Sequence, residues 1–179
     1  MTCCAERTIR QSLVDAAFRC AYRCAYRALR LYWRLFHPET HGALVALWHA
    51  DELLLVRNSY VDLYGLPGGY VRKRETAAEA AVRELAEELA LRVFSRELVL
   101  VHEETYEWAG KRDHVTIFRL DLDAPPAICV DRREVVSAEF HTTAAALALP
   151  LIPPLRRYLE ACRQAASPAS AATVPRSDL

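Results

Sequence analysis

Three carboxylates, Glu84, Glu87 and Glu88, stand at i, i+3 and i+4 in a stretch, Ala77 to Leu91, that contains no glycine or proline and is rich in Ala, Glu and Leu. At about 100° per residue in a helix they share one ridge. Like charges at these spacings repel by a few tenths of a kcal/mol per pair, so helix stability alone does not favour the cluster. A hard divalent cation reverses that sign, because magnesium prefers carboxylate oxygens and keeps several of its waters. Arg83 lies beside the ridge, four residues from both Glu79 and Glu87, where it can orient carboxylates without ligating metal. Just upstream, Gly68 and Gly69 permit φ > 0 and close approach of backbone to a ligand. A glycine-rich turn feeding an acidic helix is a place to hold a metal-bound diphosphate.

The ridge needs a scaffold, and the flanking sequence supplies its signals. Thr76 and Glu79 read as a capping box at the start of the helix. Ala78, Ala81, Val82, Leu85 and Leu89 fall on one side and are expected to face the core. Before the helix, 43–49 and 53–57 read as strands joined by a turn at 50–52, with 37–42 as a breaker and linker. After it come strands at 98–107 and 114–121 around a polar turn, then a strand at 134–141 and a short helix at 142–149. A terminal helix at 153–164 turns Leu155, Tyr158, Leu159 and Cys162 inward. Strand pairs feeding a helix, followed by more strands, indicate an α+β sandwich rather than a doubly wound sheet.

Written as spacing, the central stretch is Gly69, five residues, Glu75, seven residues, Arg83-Glu84-Leu85, one residue, Glu87-Glu88, one residue, Ala90-Leu91. This resembles the Nudix box, G-x5-E-x7-R-E-U-x-E-E-x-G-U, where U is aliphatic; every fixed position matches except the last glycine, replaced here by Ala90. If that position is left-handed, alanine costs roughly 1 kcal/mol there; otherwise the helix runs slightly further. Ala90 touches none of the proposed ligands, so activity is expected to survive.

The resemblance implies an α/β/α sandwich with a mixed central sheet. It implies that Glu84, Glu87 and Glu88 bind Mg²⁺ or Mn²⁺, with Arg83 among the catalytic residues and Glu75 organising the loop. Glu84 is the candidate for activating water. A glutamate on another loop can serve instead, with Glu134 first and Glu103, Glu104 and Glu139 behind it. The implied substrate is a nucleoside diphosphate linked to a further group X, of nucleoside triphosphate or nucleotide-sugar type. Gly68, Gly69 and Arg57 are the candidates for substrate binding, with Lys111 and Arg112 as further phosphate contacts. Trp48, Tyr70, Tyr106 and Trp108 could stack on a base. The rival reading is a catalytically silent module that binds a nucleotide or metabolite; three intact, mutually repelling acids argue against it.

The chain has 179 residues, 53% apolar and 26% charged, which suits one domain plus a terminal extension. Net charge is zero, yet residues 1–37 carry seven arginines against Glu6 and Asp15, a net of +5. The expected organisation is a basic amphipathic helix within 1–37, a Nudix-like domain at 40–163 and a disordered tail at 165–179. In the helix, read over 6–36, Arg19, Arg23, Arg27, Arg30 and Arg34 share a face, and Phe18, Tyr22, Leu29, Tyr32, Trp33 and Phe36 fill much of the rest. Three roles stay open for it: packing on the domain or a second copy, lying on an anionic membrane surface through residues 9–36, or serving as a leader. The bulk composition does not point to sequence-specific nucleic-acid binding. Six cysteines lack metal-site spacing and read as free thiols of a reducing cytoplasm, with an acylation site at Cys3-Cys4 as a lesser alternative. No run of 18 apolar residues and no secretory signal is present, so a cytoplasmic location is expected, peripheral to the membrane if the helix docks there.

Overall fold

A computed structural model describes residues 9–128, 130 and 132–165, the side chains of Ile9 and Arg10 excepted. The Cys3-Cys4 pair, Cys129 and residues 166–179 of the expected 165–179 tail lie outside those residues, while Ala165 ends the last helix.

The elements in chain order are helix α1 (Ile9–Phe36), strands β1 (Glu39–His49), β2 (Glu52–Asn58), β3 (Tyr64–Gly65) and β4 (Gly68–Tyr70), and helix α2 (Ala77–Leu89). A 3-10 turn (Ser95–Glu97), β5 (Val99–Trp108), β6 (Lys111–Asp121), β7 (Val135–Thr142), α3 (Thr143–Leu147) and α4 (Pro153–Ala165) follow. The path of the sheet is β3-β2-β1-β6-β5, with β4 on β1 and β7 on β2. β1 and β6 pair in parallel, over ten registered residues from Glu39↔Arg112 to Trp48↔Asp121. The sheet is therefore mixed, with antiparallel pairs on either side.

β1 and β2 are registered only at Trp48↔Leu53 and His49↔Glu52. Beyond that hairpin they diverge: β1 takes β4, and β2 takes β3 and β7. The Leu66–Gly69 segment, with Leu66 and Pro67 buried, enters this split and delivers the glycines to the start of the acidic helix.

Alternation along the strands sorts the core into two layers. Ala43, Val45 and Leu47 of β1 join Leu54, Val56, Phe118 and Leu120 under Ala80, Ala81, Leu85 and Leu89 of α2. Ala46 and Trp48 join Leu53, Leu55, Val115 and Ile117 under Leu155, Tyr158 and Leu159 of α4. Helices on both faces of a mixed sheet make the α/β/α sandwich.

Two expectations are corrected. Residues 39–42 are strand, not linker, because the parallel partner β6 also begins early, at Lys111. On α2, Ala80 is buried and Val82 is only half-buried, so the buried stripe is rotated slightly from the expected one.

Candidate active site

The capping box is present at α2: Glu79 N–H donates to Thr76 Oγ1 at 3.2 Å, and Thr76 N–H donates to Glu79 Oε2 at 2.8 Å. This satisfies two of the free N–H groups that a helix start leaves and fixes where the ridge begins. Glu79 is thus occupied, and Arg83 turns elsewhere.

Arg83 is the hub of the site. Its Nε donates to Glu75 Oε1 at 2.8 Å and its Nη2 to Glu75 Oε2 at 3.1 Å, a two-pronged pair. Nη1 donates to Glu84 and to Glu87 Oε2, and Nη2 also reaches the Tyr70 carbonyl at 3.0 Å. Arg72 N–H donates to Glu75 Oε2 at 2.8 Å. Hydrogen bonds from the Arg83 guanidinium and then from Arg72 hold the Glu75 carboxyl down at about 2, and hydrogen bonds to Glu75 and then Glu84 raise Arg83 above its ordinary range. Glu75 thereby ties the Val71–Thr76 loop to the ridge.

The glycines touch the acids. Gly68 N–H donates to Glu88 Oε2 at 2.9 Å. At φ 141° Gly68 has a backbone open to glycine, and a Cβ there would collide with the Ala43 carbonyl and Leu44 Cα. A Cβ on Gly69 would stand 2.5 Å from Glu84 Oε1. The expected close approach is therefore, in this structure, an approach to Glu84 and Glu88.

The ridge carboxylates differ in exposure. The Glu84 side chain is 16% exposed and that of Glu87 52%, so Glu87 faces solvent while Glu84 sits beneath the glycine turn. Among the described residues no three acidic, His or Cys side chains converge as a metal-binding group. The reason is local: Arg83 draws Glu84 and Glu87, and Gly68 holds Glu88. In chemistry the donor set still fits a hard divalent ion, with three oxygen donors on one ridge and a backbone cradle at Gly69.

Glu134, just before β7, is brought to the same end of the sheet. Its carbonyl accepts from Ser59 N–H at 2.8 Å and its carboxylate from the Tyr60 hydroxyl at 3.0 Å. Burial first, then the Glu134 carboxylate and more weakly Glu88, raise the Tyr60 phenol well above its ordinary range. Tyr60 therefore stands within the field of both acids.

Other candidates lie elsewhere. Arg57 follows Leu53 and Leu55 in alternation, on the sheet face away from α2, and is exposed. Lys111 is buried in an ion pair with Asp113, with Thr40 and Tyr70 as further partners, and Arg112 pairs with Glu39. The Lys111 charge is thus engaged inside the fold, while Arg112 sits in an exposed surface pair. Glu104 is held by Arg157, and Glu103 accepts from Thr116. Trp48 is core, its indole N–H donating to the Tyr158 hydroxyl at 3.2 Å, and Tyr106 donates to Asp113. Of the four aromatic candidates, Tyr70 borders an open cavity that also takes in Tyr60. No local signal marked Tyr60; its place is set by pairing across 74 residues.

A mixed sheet between helical layers, with a glycine turn setting an acidic ridge against a central arginine, defines the class of protein. The NUDIX domain model matches residues 38–162, and the chain belongs to the Nudix family of hydrolases. A Bacillus subtilis (strain 168) protein named for 8-oxo-dGTP diphosphatase activity is 50% identical over 50 residues, 27% of this chain. That match spans about a third (34%) of the relative's length. Among solved structures, the Escherichia coli ORF135 protein superimposes with a TM-score of 0.60 at 24% identity, covering 74% of this chain and 95% of its own. A MutT protein from Methanosarcina mazei Go1 does so with a TM-score of 0.63 at 19% identity, covering 74% and 99%. Both support the fold.

Proposed function

We propose that this chain hydrolyses the pyrophosphate bond of a nucleoside diphosphate linked to a group X, with nucleoside triphosphates foremost. The relative named for 8-oxo-dGTP diphosphatase activity supports trying purine triphosphates first. The observation that carries the reading is the Arg83 hub, which holds Glu75, Glu84 and Glu87 together beneath the glycine turn. A catalytically silent descendant has no need of that arrangement.

Mg²⁺ or Mn²⁺ held by Glu84, Glu87 and Glu88 would neutralise phosphate charge and lower the barrier to attack on phosphorus. Glu84, half-buried and oriented by Arg83, accepts the proton of the attacking water; as the new P–O bond forms, the anhydride P–O bond breaks and two phosphate-bearing products leave. Glu134 is the alternative base, oriented by the Tyr60 hydroxyl. Glu75 keeps Arg83 in place and takes no proton at neutral pH.

The test is inorganic phosphate freed from the products by added pyrophosphatase or alkaline phosphatase, across nucleoside triphosphates, dinucleoside polyphosphates and nucleotide sugars with Mg²⁺ or Mn²⁺. Glu84→Gln and Glu88→Gln each lower kcat on the order of 100-fold or more while the thermal midpoint stays unchanged. Near-full turnover in either variant removes that residue from the mechanism.

A second reading concerns location: a cytoplasmic enzyme held peripherally on an anionic membrane surface through α1. Its outward side carries Leu13, Leu31, Leu35 and Phe36, each more than half exposed, beside the exposed Arg27, Arg30 and Arg34.

A further inference from the structure

Helix α1 precedes the matched family domain, yet it closes over one side of it. Trp33 is buried, with the Lys111 ammonium 4.9 Å from its ring centre, and Arg34 Cα lies 3.0 Å from where a Cβ on Gly110 would stand. Further along, Arg23 Nε donates to the Ser59 carbonyl at 2.9 Å and Arg19 to the Arg132 carbonyl at 3.1 Å. Arg133 Nε donates to the buried Asp15 at 3.0 Å. The helix is thus pinned at both ends and bridges the interval between.

Under that bridge lies a cavity of ≈ 380 Å³, walled by Tyr22, Tyr26, Leu29 and Trp33 of α1 and by Tyr60, Tyr70 and Glu134 of the domain. That volume is within the range of small-molecule sites, roughly 300–1,000 Å³. Tyr26 and Tyr60 have ring centres 5.1 Å apart, and Tyr22 stacks on Tyr60 at 6.1 Å. The cavity meets the candidate site at two points: the Tyr60 hydroxyl donates to Glu134, and the Tyr70 carbonyl accepts from Arg83, which holds the ridge acids.

We propose that α1 supplies the outer wall of the substrate cavity, and that the aromatic base of a nucleotide stacks there against Tyr26 and Tyr22 while its phosphates lie toward the acidic ridge. The inference rests on the hydrolase reading and names the part of the substrate that the site selects. A planar aromatic group is favoured because most of the wall is ring and aliphatic surface, with Glu134 as its one charged member; a sugar would leave most of its hydroxyls facing apolar groups.

The test is binding by the full chain, in EDTA, of a purine nucleoside monophosphate against ribose 5-phosphate, read by calorimetry. The monophosphate binds and ribose 5-phosphate binds at least tenfold more weakly. Tyr26→Ala weakens nucleotide binding about tenfold, and Tyr26→Phe binds as the parent does. Leu29→Trp, which fills the cavity from its rim without deleting packing, also abolishes binding, so the test stands even if Tyr26→Ala unfolds. Equal binding of the two phosphates, or wild-type affinity in Leu29→Trp, overturns the proposal. Because no turnover is read, a chain that binds nucleotide but never hydrolyses it refutes the hydrolase reading alone. One that hydrolyses with an unchanged KM in Leu29→Trp refutes the cavity alone.

Discussion

Arg83 and Glu75 show how a single pair can set a site's pH tolerance. The Glu75 carboxyl is held down at about 2 against an ordinary value of 4.5, so its folded form is favoured by ionisation. A depressed acid contributes fully above its unfolded pKa and loses that contribution as pH falls through the folded one. The loop from Val71 to Thr76 is therefore expected to stay ordered down to about pH 3 and to loosen near 2. Carbon-detected NMR titration of the Glu75 carboxyl checks this: a midpoint near 4.5 would falsify the pairing. Gly69 makes a sharper residue-scale case. Gly69→Ala puts a Cβ 2.5 Å from Glu84 Oε1, so the carboxylate must swing away. Turnover is expected to fall at least tenfold while the melting temperature shifts by only a few degrees, measured by steady-state kinetics and calorimetry. The acids, Arg83 and the glycines were legible in the sequence because they sit within 21 residues of one another at fixed helical spacing. Lys111 was not, because its partner Asp113 and the overlying Trp33 make it a buried charge that only the strand register reveals.

At the scale of elements, α2 was legible at both ends, since the signals there are local. The Thr76 cap is formed as read, and Ala90 adopts φ 56° and ψ 24°, the left-handed conformation that the missing glycine would have eased. Of the two alternatives for Ala90, the strained turn is the one found. Replacing Ala90 with Gly is expected to stabilise the protein by about 0.5–1 kcal/mol, with turnover unchanged. Thr76→Ala is expected to cost about 1 kcal/mol. Urea unfolding resolves both, provided the slope stays constant. The start of β1 was less legible: the His37-Pro38 pair signals a break, and the helix does end there, with His37 left-handed and donating to the Trp33 carbonyl at 2.9 Å. What the local signal could not show is that β6 offers a parallel partner as early as Glu39, some 70 residues away.

For the molecule as a whole, α1 turns one side to the domain and the other to solvent. Its two faces do different work: Tyr22, Tyr26 and Trp33 turn to the domain, while Leu13, Leu31, Leu35 and Phe36 stay in water. Sequence periodicity grouped the arginines on one face but could not divide them, since Arg19 and Arg23 are taken by carbonyls of the domain and Arg27, Arg30 and Arg34 are left outward. Among the described residues no helix is long and apolar enough to cross a membrane, so attachment through α1 would lie along the surface. Each outward arginine contributes about 1 kcal/mol near an anionic leaflet, and the contribution fades within a Debye length, about 8 Å at physiological salt. Flotation of the full chain with vesicles rich in phosphatidylserine is therefore expected to recover protein at 50 mM salt and much less at 500 mM, with none on phosphatidylcholine alone. Leu31→Glu combined with Leu35→Glu abolishes recovery but leaves nucleotide binding intact, because neither side chain lines the cavity. If that double variant floats as well as the parent, the outward leucines do not hold lipid; if sedimentation shows it converting a dimer to a monomer, the face belongs to a second copy of the chain.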